Sequence, residues 1–185
     1  LAINGLDEES NQPLSLPQNK CYLICNGEIY NWKELRNLLD SEILYKSNSD
    51  CEIILHLYIK YGIEHTLQLL DGVFSFVLFD NQNPDCPKAY VARDPYGVRP
   101  LFFISNQSNV IGFASEIKML YGLNKYSNQI FEQFSPGTFW ELKKNKMWTI
   151  QNIDKFAGPL SFTNSYINSH NVYDIIKTSL FAAVA

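Results

Sequence analysis

The sequence predicts a layered α+β domain, with helices on one side of an antiparallel sheet, and three observations carry that prediction. Apolar residues repeat at helical spacing up to about residue 70 and then give way to strand-like runs. The later strands are separated by Pro- and Asn-rich turns, far shorter than the dozen or so residues a parallel crossover needs, so they pair antiparallel. With 46% hydrophobic and 14% aromatic residues, a chain of 185 residues can bury a core of domain size, which excludes wholesale disorder.

Taken in order, residues 7–19 read as a polar loop with two prolines. Cys21 to Cys25 forms a short strand that runs directly into Asn26-Gly27-Glu28. Asn31 caps a helix over Trp32–Leu39, with Glu34 placed for a capping box. Ser49-Asp50-Cys51-Glu52 opens a stronger helix whose Ile53, Ile54, Leu57, Tyr58 and Tyr61 share a face, and Gly62 stops it. Ile63–Leu70 is a short helix ending at the Asp71-Gly72 turn.

Val73–Phe79 is almost wholly apolar, as a strand covered on both faces would be. Strands follow at Lys88–Arg93, Leu101–Ile104 and Val110–Phe113. Ser115 caps a short helix, Glu116–Tyr121. Thr138–Leu142 and Met147–Ile150 form a hairpin, and the first domain, residues 1–150, ends there. Residues 151–170, with Gly158-Pro159 and many Asn and Ser, read as a linker. In residues 171–185, Val172, Ile176, Leu180 and Val184 make the stripe of an amphipathic helix.

Fifteen basic against nineteen acidic residues leave a net charge of −4, which argues against a surface built to neutralise phosphates, so neither nucleic acid nor membrane is an expected partner. No apolar run approaches the ~20 residues of a membrane span, and no signal peptide opens the chain. The four cysteines, at 21, 25, 51 and 86, are too few for a disulfide scaffold and lack zinc-site spacing. They read as free thiols of a reducing, cytoplasmic compartment, with no metal site. Because the sequence does not begin with Met, it reads as a piece of something longer.

Common catalytic signatures are absent: no GxxxxGK[ST], no GxGxxG, no HExxH. His56, His65 and His170 are isolated and read as structural or surface residues. Arg93-Asp94 before Pro95-Tyr96-Gly97 reads as a pair that fixes a turn, by ion pairing and by Asp-to-backbone hydrogen bonds. The informative element is Asn26-Gly27-Glu28. A glycine N–H and an adjacent Asn amide at a strand end are two donors suited to an oxyanion, and Glu28 and Asp50, each at a helix entrance, suit an ammonium group. The residues alone leave open the plainer reading, an Asn-Gly turn and two acids favoured by helix dipoles.

Five blocks in order carry a resemblance: Asn26–Asn31 (NGEIYN), Ser49–Ile54 (SDCEII), Leu70–Phe76 (LDGVFSF), Arg93–Leu101 (RDPYGVRPL) and Ala114–Lys118 (ASEIK). From Leu1 to about Ile150 the sequence resembles the glutaminase domain of glutamine-hydrolysing asparagine synthetases, class II glutamine amidotransferases. The resemblance implies a four-layer αββα sandwich of the N-terminal-nucleophile type. It implies attack on the glutamine side-chain amide by an N-terminal cysteine thiolate. Asn26 (side chain) and Gly27 (backbone N–H) match the oxyanion donors, and Glu28 and Asp50 match the residues that hold the α-amino end. Leu1, Ala2, Ile3 and Asn4 match the segment whose backbone lines the same pocket. Residues 171–185 resemble the first helix of the synthetase domain, whose ATP and Mg chemistry would activate aspartate as β-aspartyl-adenylate. A homodimer is an assembly the resemblance allows.

The departures are equally specific. No cysteine here matches the nucleophile, the family's arginine for the substrate carboxylate would immediately precede Leu1, and no SGGxDS loop follows. The expectation is therefore an interior piece of such a synthetase, inactive as a glutaminase by itself. Two other readings stand beside it: a class II amidotransferase serving a phosphoribosyl or hexosephosphate acceptor, and a non-catalytic remnant that binds glutamine.

Overall fold

A computed structural model describes residues 5, 7–40, 42–106, 109–123, 128–156 and 172–184. Nine strands run in chain order: β1 (Leu14–Leu16), β2 (Cys21–Ile29), β3 (Gly72–Asp80), β4 (Lys88–Arg93), β5 (Phe102–Asn106), β6 (Asn109–Ala114), β7 (Ile130–Gln133), β8 (Thr138–Lys144) and β9 (Trp148–Lys155). The helices are α1 (Trp32–Arg36), α2 (Glu52–Leu69) and α3 (Val172–Val184). Every strand pairing is antiparallel, in the order β1-β2-β3-β4-β8-β9-β6-β5-β7.

That continuous sheet doubles back on itself at β9, which pairs with β8 along its length but meets β6 only at Asn109 and Val110. Ala89 and Val91 of β4 and Trp140 and Leu142 of β8 therefore pack face to face with Phe103 of β5 and Val110 of β6. On the opposite face of β2 and β3, Leu23, Phe74, Phe76 and Leu78 are sealed by Ile53, Ile54, Leu57 and Leu67 of α2. Each such fully buried side chain contributes roughly 1.5–3 kcal/mol. The 3₁₀ segment Ile117–Leu123 covers β6 on the far side, with Leu120 buried and Leu123 close against Gly112. The layers are thus helix, sheet, sheet and, among the described residues, a single 3₁₀ segment.

Gly62 interrupts α2 as the spacing predicts. Its φ of 78° lies in the left-handed region, so Glu52–Leu69 is two helical stretches meeting at a kink. Other elements depart from the sequence reading. The loop 7–19 contains β1, whose buried Leu14 and Leu16 pair with Leu23 and Cys21; three residues are too short for periodicity to reveal. Helix α1 ends at Arg36 rather than Leu39, and Asn31 makes no side-chain cap. Its amide instead donates to Leu69 O (2.9 Å) and accepts from Asp71 N–H (3.0 Å), tying the end of β2 to the end of α2. The helix after Ser115 is the 3₁₀ segment.

Residues 151–155, assigned to the linker from sequence, instead complete β9, with Thr138 opposite Lys155. Phe156 then donates its N–H to Gly137 O (3.0 Å) and packs on the helix-side core. The rest of that segment, 157–171, lies outside the described residues. The tail does form a helix, α3, in which Ile176 and Leu180 of the apolar stripe are exposed.

Candidate functional site

The Asn26-Gly27-Glu28 motif is not a turn. It lies within β2, with Asn26 opposite Ser75, Gly27 opposite Phe74 and Glu28 opposite Val73. Phe74 O accepts from Asp94 N–H (2.7 Å), so Phe74 turns its backbone polar groups toward β4. In an antiparallel ladder these directions alternate, so Asn26 and Glu28 bond to β3 while Cys25, Gly27 and Ile29 point to the free edge. Along that edge, β1 covers residues 21–23. The Gln12 side chain then takes both groups of Cys25, accepting from its N–H (2.8 Å) and donating to its O (2.7 Å). Asp50 Oδ2 accepts the N–H of Ile29 (2.6 Å). Between them, the N–H of Gly27 meets no acceptor among the described residues, and its carbonyl faces only the Cys51 thiol (3.8 Å).

Gly27 has a second reason to be glycine. A Cβ there would lie 2.2 Å from Val73 O and 2.6 Å from Phe74 Cα, so the close approach of β3 alone excludes a side chain. On the inner face, the Asn26 amide donates to Ser115 Oγ (3.1 Å), a contact spanning 89 residues and joining the two sheets. Asn26 and Ser115 line one cavity of about 270 Å³ with Gln12, Ser75, Leu101 and Phe113. Neither Ser115 nor Gln12 was legible as a site residue in the sequence: one looked like a helix cap, the other like loop.

The other sequence-derived site residues divide. Asp50 is buried beside the β2 edge. Glu28 is half-buried and makes no side-chain hydrogen bond or ion pair among the described residues. Leu1, Ala2, Ile3 and Asn4 lie outside the described residues. Gly5, which follows them, packs against Ser10 and the backbone N of Ser49, next to Asp50.

The four cysteines are free thiols. The Cys51 thiol and burial together hold Cys25, the thiol adjoining Asn26, well above the ordinary cysteine range, and burial pushes Cys21 up to about 12. Neither supplies a thiolate at neutral pH. Among the described residues no cluster of His, Cys, Asp and Glu could hold a metal ion, and no helix is long and apolar enough to cross a membrane.

Arg93 and Asp94 do fix the Pro95–Gly97 turn, but each bonds backbone. Arg93 donates to Arg99 O, Phe134 O and Gly97 O (each 2.7 Å), and Asp94 accepts the N–H groups of Tyr96, Val98 and Arg99. The expected ion pair between them is not among those of the described residues. Histidines 56 and 65 sit in α2 against the rings of Tyr45 and Tyr61. His170 lies outside the described residues.

Against known proteins, residues 1–161 match the family model described as the glutamine amidotransferase domain. A probable glutamine-hydrolyzing asparagine synthetase of Acanthamoeba polyphaga mimivirus is 38% identical over 174 residues, covering 92% of this chain and 30% of the relative. The glutamine-hydrolyzing asparagine synthetases of Gallus gallus and Homo sapiens are each 43% identical, covering 69% and 72% of this chain but 22% and 24% of theirs. The chain therefore spans less than a third of the length of these relatives. Among solved structures, the glutamine phosphoribosylpyrophosphate amidotransferase from B. subtilis, complexed with ADP and GMP, superposes with a TM-score of 0.59 at 24% identity. An allosteric regulatory enzyme of purine biosynthesis does so at 0.61 and 23%. Each likeness covers 80% of this chain and 32% of the other, and shows a shared fold.

Proposed function

The chain belongs to the glutamine amidotransferase domain family, and from that premise we propose that it is the glutamine-binding part of an asparagine synthetase. The observation that carries the reading is the edge of β2, where, among the described residues, Gly27 N–H meets no acceptor between a filled Cys25 and a filled Ile29, next to the Asn26 amide. The amide carbonyl of glutamine is the acceptor these donors suit. As it becomes tetrahedral its oxygen gains charge, and two fixed donors stabilise that charge without reorganising; one such donor is worth ~3–4 kcal/mol in the transition state. On this reading Asp50 and Glu28 hold the α-ammonium, and Leu1, Ala2, Ile3 and Asn4, outside the described residues, are assigned to the same pocket by the resemblance alone.

None of the four cysteines is assigned the nucleophile's part. ATP, Mg and aspartate belong, on this reading, to the synthetase part of such proteins. The asparagine reading is preferred over a phosphoribosyl or hexosephosphate acceptor because the relatives at 38–43% identity are named asparagine synthetases.

Titration of the isotopically labelled chain with L-glutamine tests the binding step. Saturable shifts at Asn26, Gly27 and Ile29, weakened at least tenfold by Asp50→Asn, are expected. Absence of saturable shifts would overturn it. In a synthetase that includes this chain, Asp50→Asn raises KM for glutamine and leaves ammonia-dependent asparagine formation intact. Equal loss of both would remove Asp50 from the pocket.

A further inference from the structure

Asp50 stands at the β2 edge, yet its carboxylate has a single hydrogen-bond partner among the described residues, the N–H of Ile29. What holds the backbone that carries it lies one turn away. The Glu52 carboxylate, almost fully buried, accepts the N–H groups of Lys46 (2.8 Å) and Ser47 (2.6 Å) and the Ser47 hydroxyl. Ser47 Oγ in turn accepts from Ser49 N–H, and Ser49 Oγ accepts from Cys51 N–H (each 3.3 Å). Asp50 stands between those last two residues. His56, one helical turn after Glu52, contacts the same carboxylate (3.2 Å) and packs edge-on against Tyr45. On the outer side, Asp7 accepts from the Asn48 amide (2.6 Å).

We infer that Glu52, working through Ser47 and Ser49, is a positioning residue that sets Asp50 against the β2 edge. A carboxylate is costly to bury unless its lone pairs are filled. Here, among the described residues, all its direct donors except His56 come from the short segment just before Asp50. Were Glu52 only a favourable charge at a helix N-terminus, it would face the first-turn N–H groups of α2. Instead it reaches back to the preceding turn. The inference rests on Asp50's place in the glutamine pocket for its functional consequence, but its structural half stands alone.

The test uses the full chain and two readouts. The backbone amide resonance of Ile29 reports the Asp50 contact without any ligand, and titration with L-glutamine reports affinity. Glu52→Gln should move the Ile29 amide proton upfield and raise the dissociation constant at least fivefold. Ser47→Ala, which leaves the Glu52 charge and α2 in place, should do the same to a smaller extent and decides the matter if Glu52→Gln fails to fold. Folded variants with an unmoved Ile29 resonance and unchanged affinity would overturn the inference. A shifted Ile29 resonance in a chain that binds no glutamine would uphold the positioning role and sink the proposed function instead.

Discussion

The two faces of β2 and β3 are built from alternate residues of the same strands, yet they have opposite fates. Toward the helices, Cys21, Leu23, Cys25, Phe74, Phe76 and Leu78 are all buried, sealed by α2. Toward the second sheet, Tyr22 is 37% and Ile24 59% exposed, and Val77 and Phe79 are only half-covered. The second sheet overlies β4 and β8 and leaves β2 open beside the cavity that Asn26 and Ser115 line. One face is a rigid base. The other, with the adjoining edge, leaves polar groups such as the Asn26 amide lining a cavity. Period-two alternation lets one strand do both.

Adjacent residues of β2 that face opposite ways should respond very differently to substitution. Leu23 is fully buried in the helix-side cluster. Leu23→Ala should lower unfolding free energy by about 3–4 kcal/mol, the transfer term plus a cavity that packed neighbours cannot fill. Denaturant midpoints with an unchanged slope would measure it. A loss below ~1 kcal/mol would mean that this face is not the dense base it appears from burial.

The helix-side layer also contains a charge, and acid should weaken it from within. Burial on its own raises the pKa of Glu52, but the His56 ring, the Ser47 hydroxyl and the Lys46 and Ser47 N–H groups outweigh it and bring it to about 2, against an ordinary 4.5. A depressed carboxylate stabilises the fold fully above its unfolded pKa and loses that contribution as pH falls through the folded one. The window is therefore pH 4.5 down to 2, and the contribution is on the order of 3 kcal/mol. Asp7 adds an acid-side change of its own, its pKa lowered by the Ser10 hydroxyl and the Asn48 amide. The measurement is accordingly a difference: between pH 5 and 2.5 the native chain should lose more stability than Glu52→Gln does.

What was legible in the sequence follows the range of each interaction. Arg93 and Asp94 bond mainly to carbonyl and N–H groups within six residues, so the turn chemistry could be read locally. The long helix, its break at Gly62 and the apolar β3 also announce themselves by period. Asn26 and Gly27 stood out as donors, but no local pattern could say that they lie inside a strand rather than at a turn. That depends on β3, some 50 residues on. Gln12 and Ser115 reach their partners across 13 and 89 residues, and a lone Gln or Ser carries no periodic mark. Glu52 was hidden differently: at a helix start it looks like a dipole residue, and only its bonds back to Lys46 and Ser47 reveal a second task.

The smallest effect is expected on the opposite face of the same strand. Ile24 follows Leu23 in the same strand, pairs with Val77 across β3 and lines the Asn26 cavity, but more than half of its surface is exposed. Ile24→Thr keeps the β-branch that suits a pleated strand and removes little area that folding takes from water. It should change unfolding free energy by no more than about 0.5 kcal/mol, the range of surface substitutions without special contacts. Beside the loss expected of Leu23→Ala, that leaves a several-fold difference between neighbours differing only in which way they face. If Ile24→Thr instead cost ~2 kcal/mol, the open face would be covered in solution, and the Asn26 cavity would be an enclosed part of the core rather than an approach to the edge of β2.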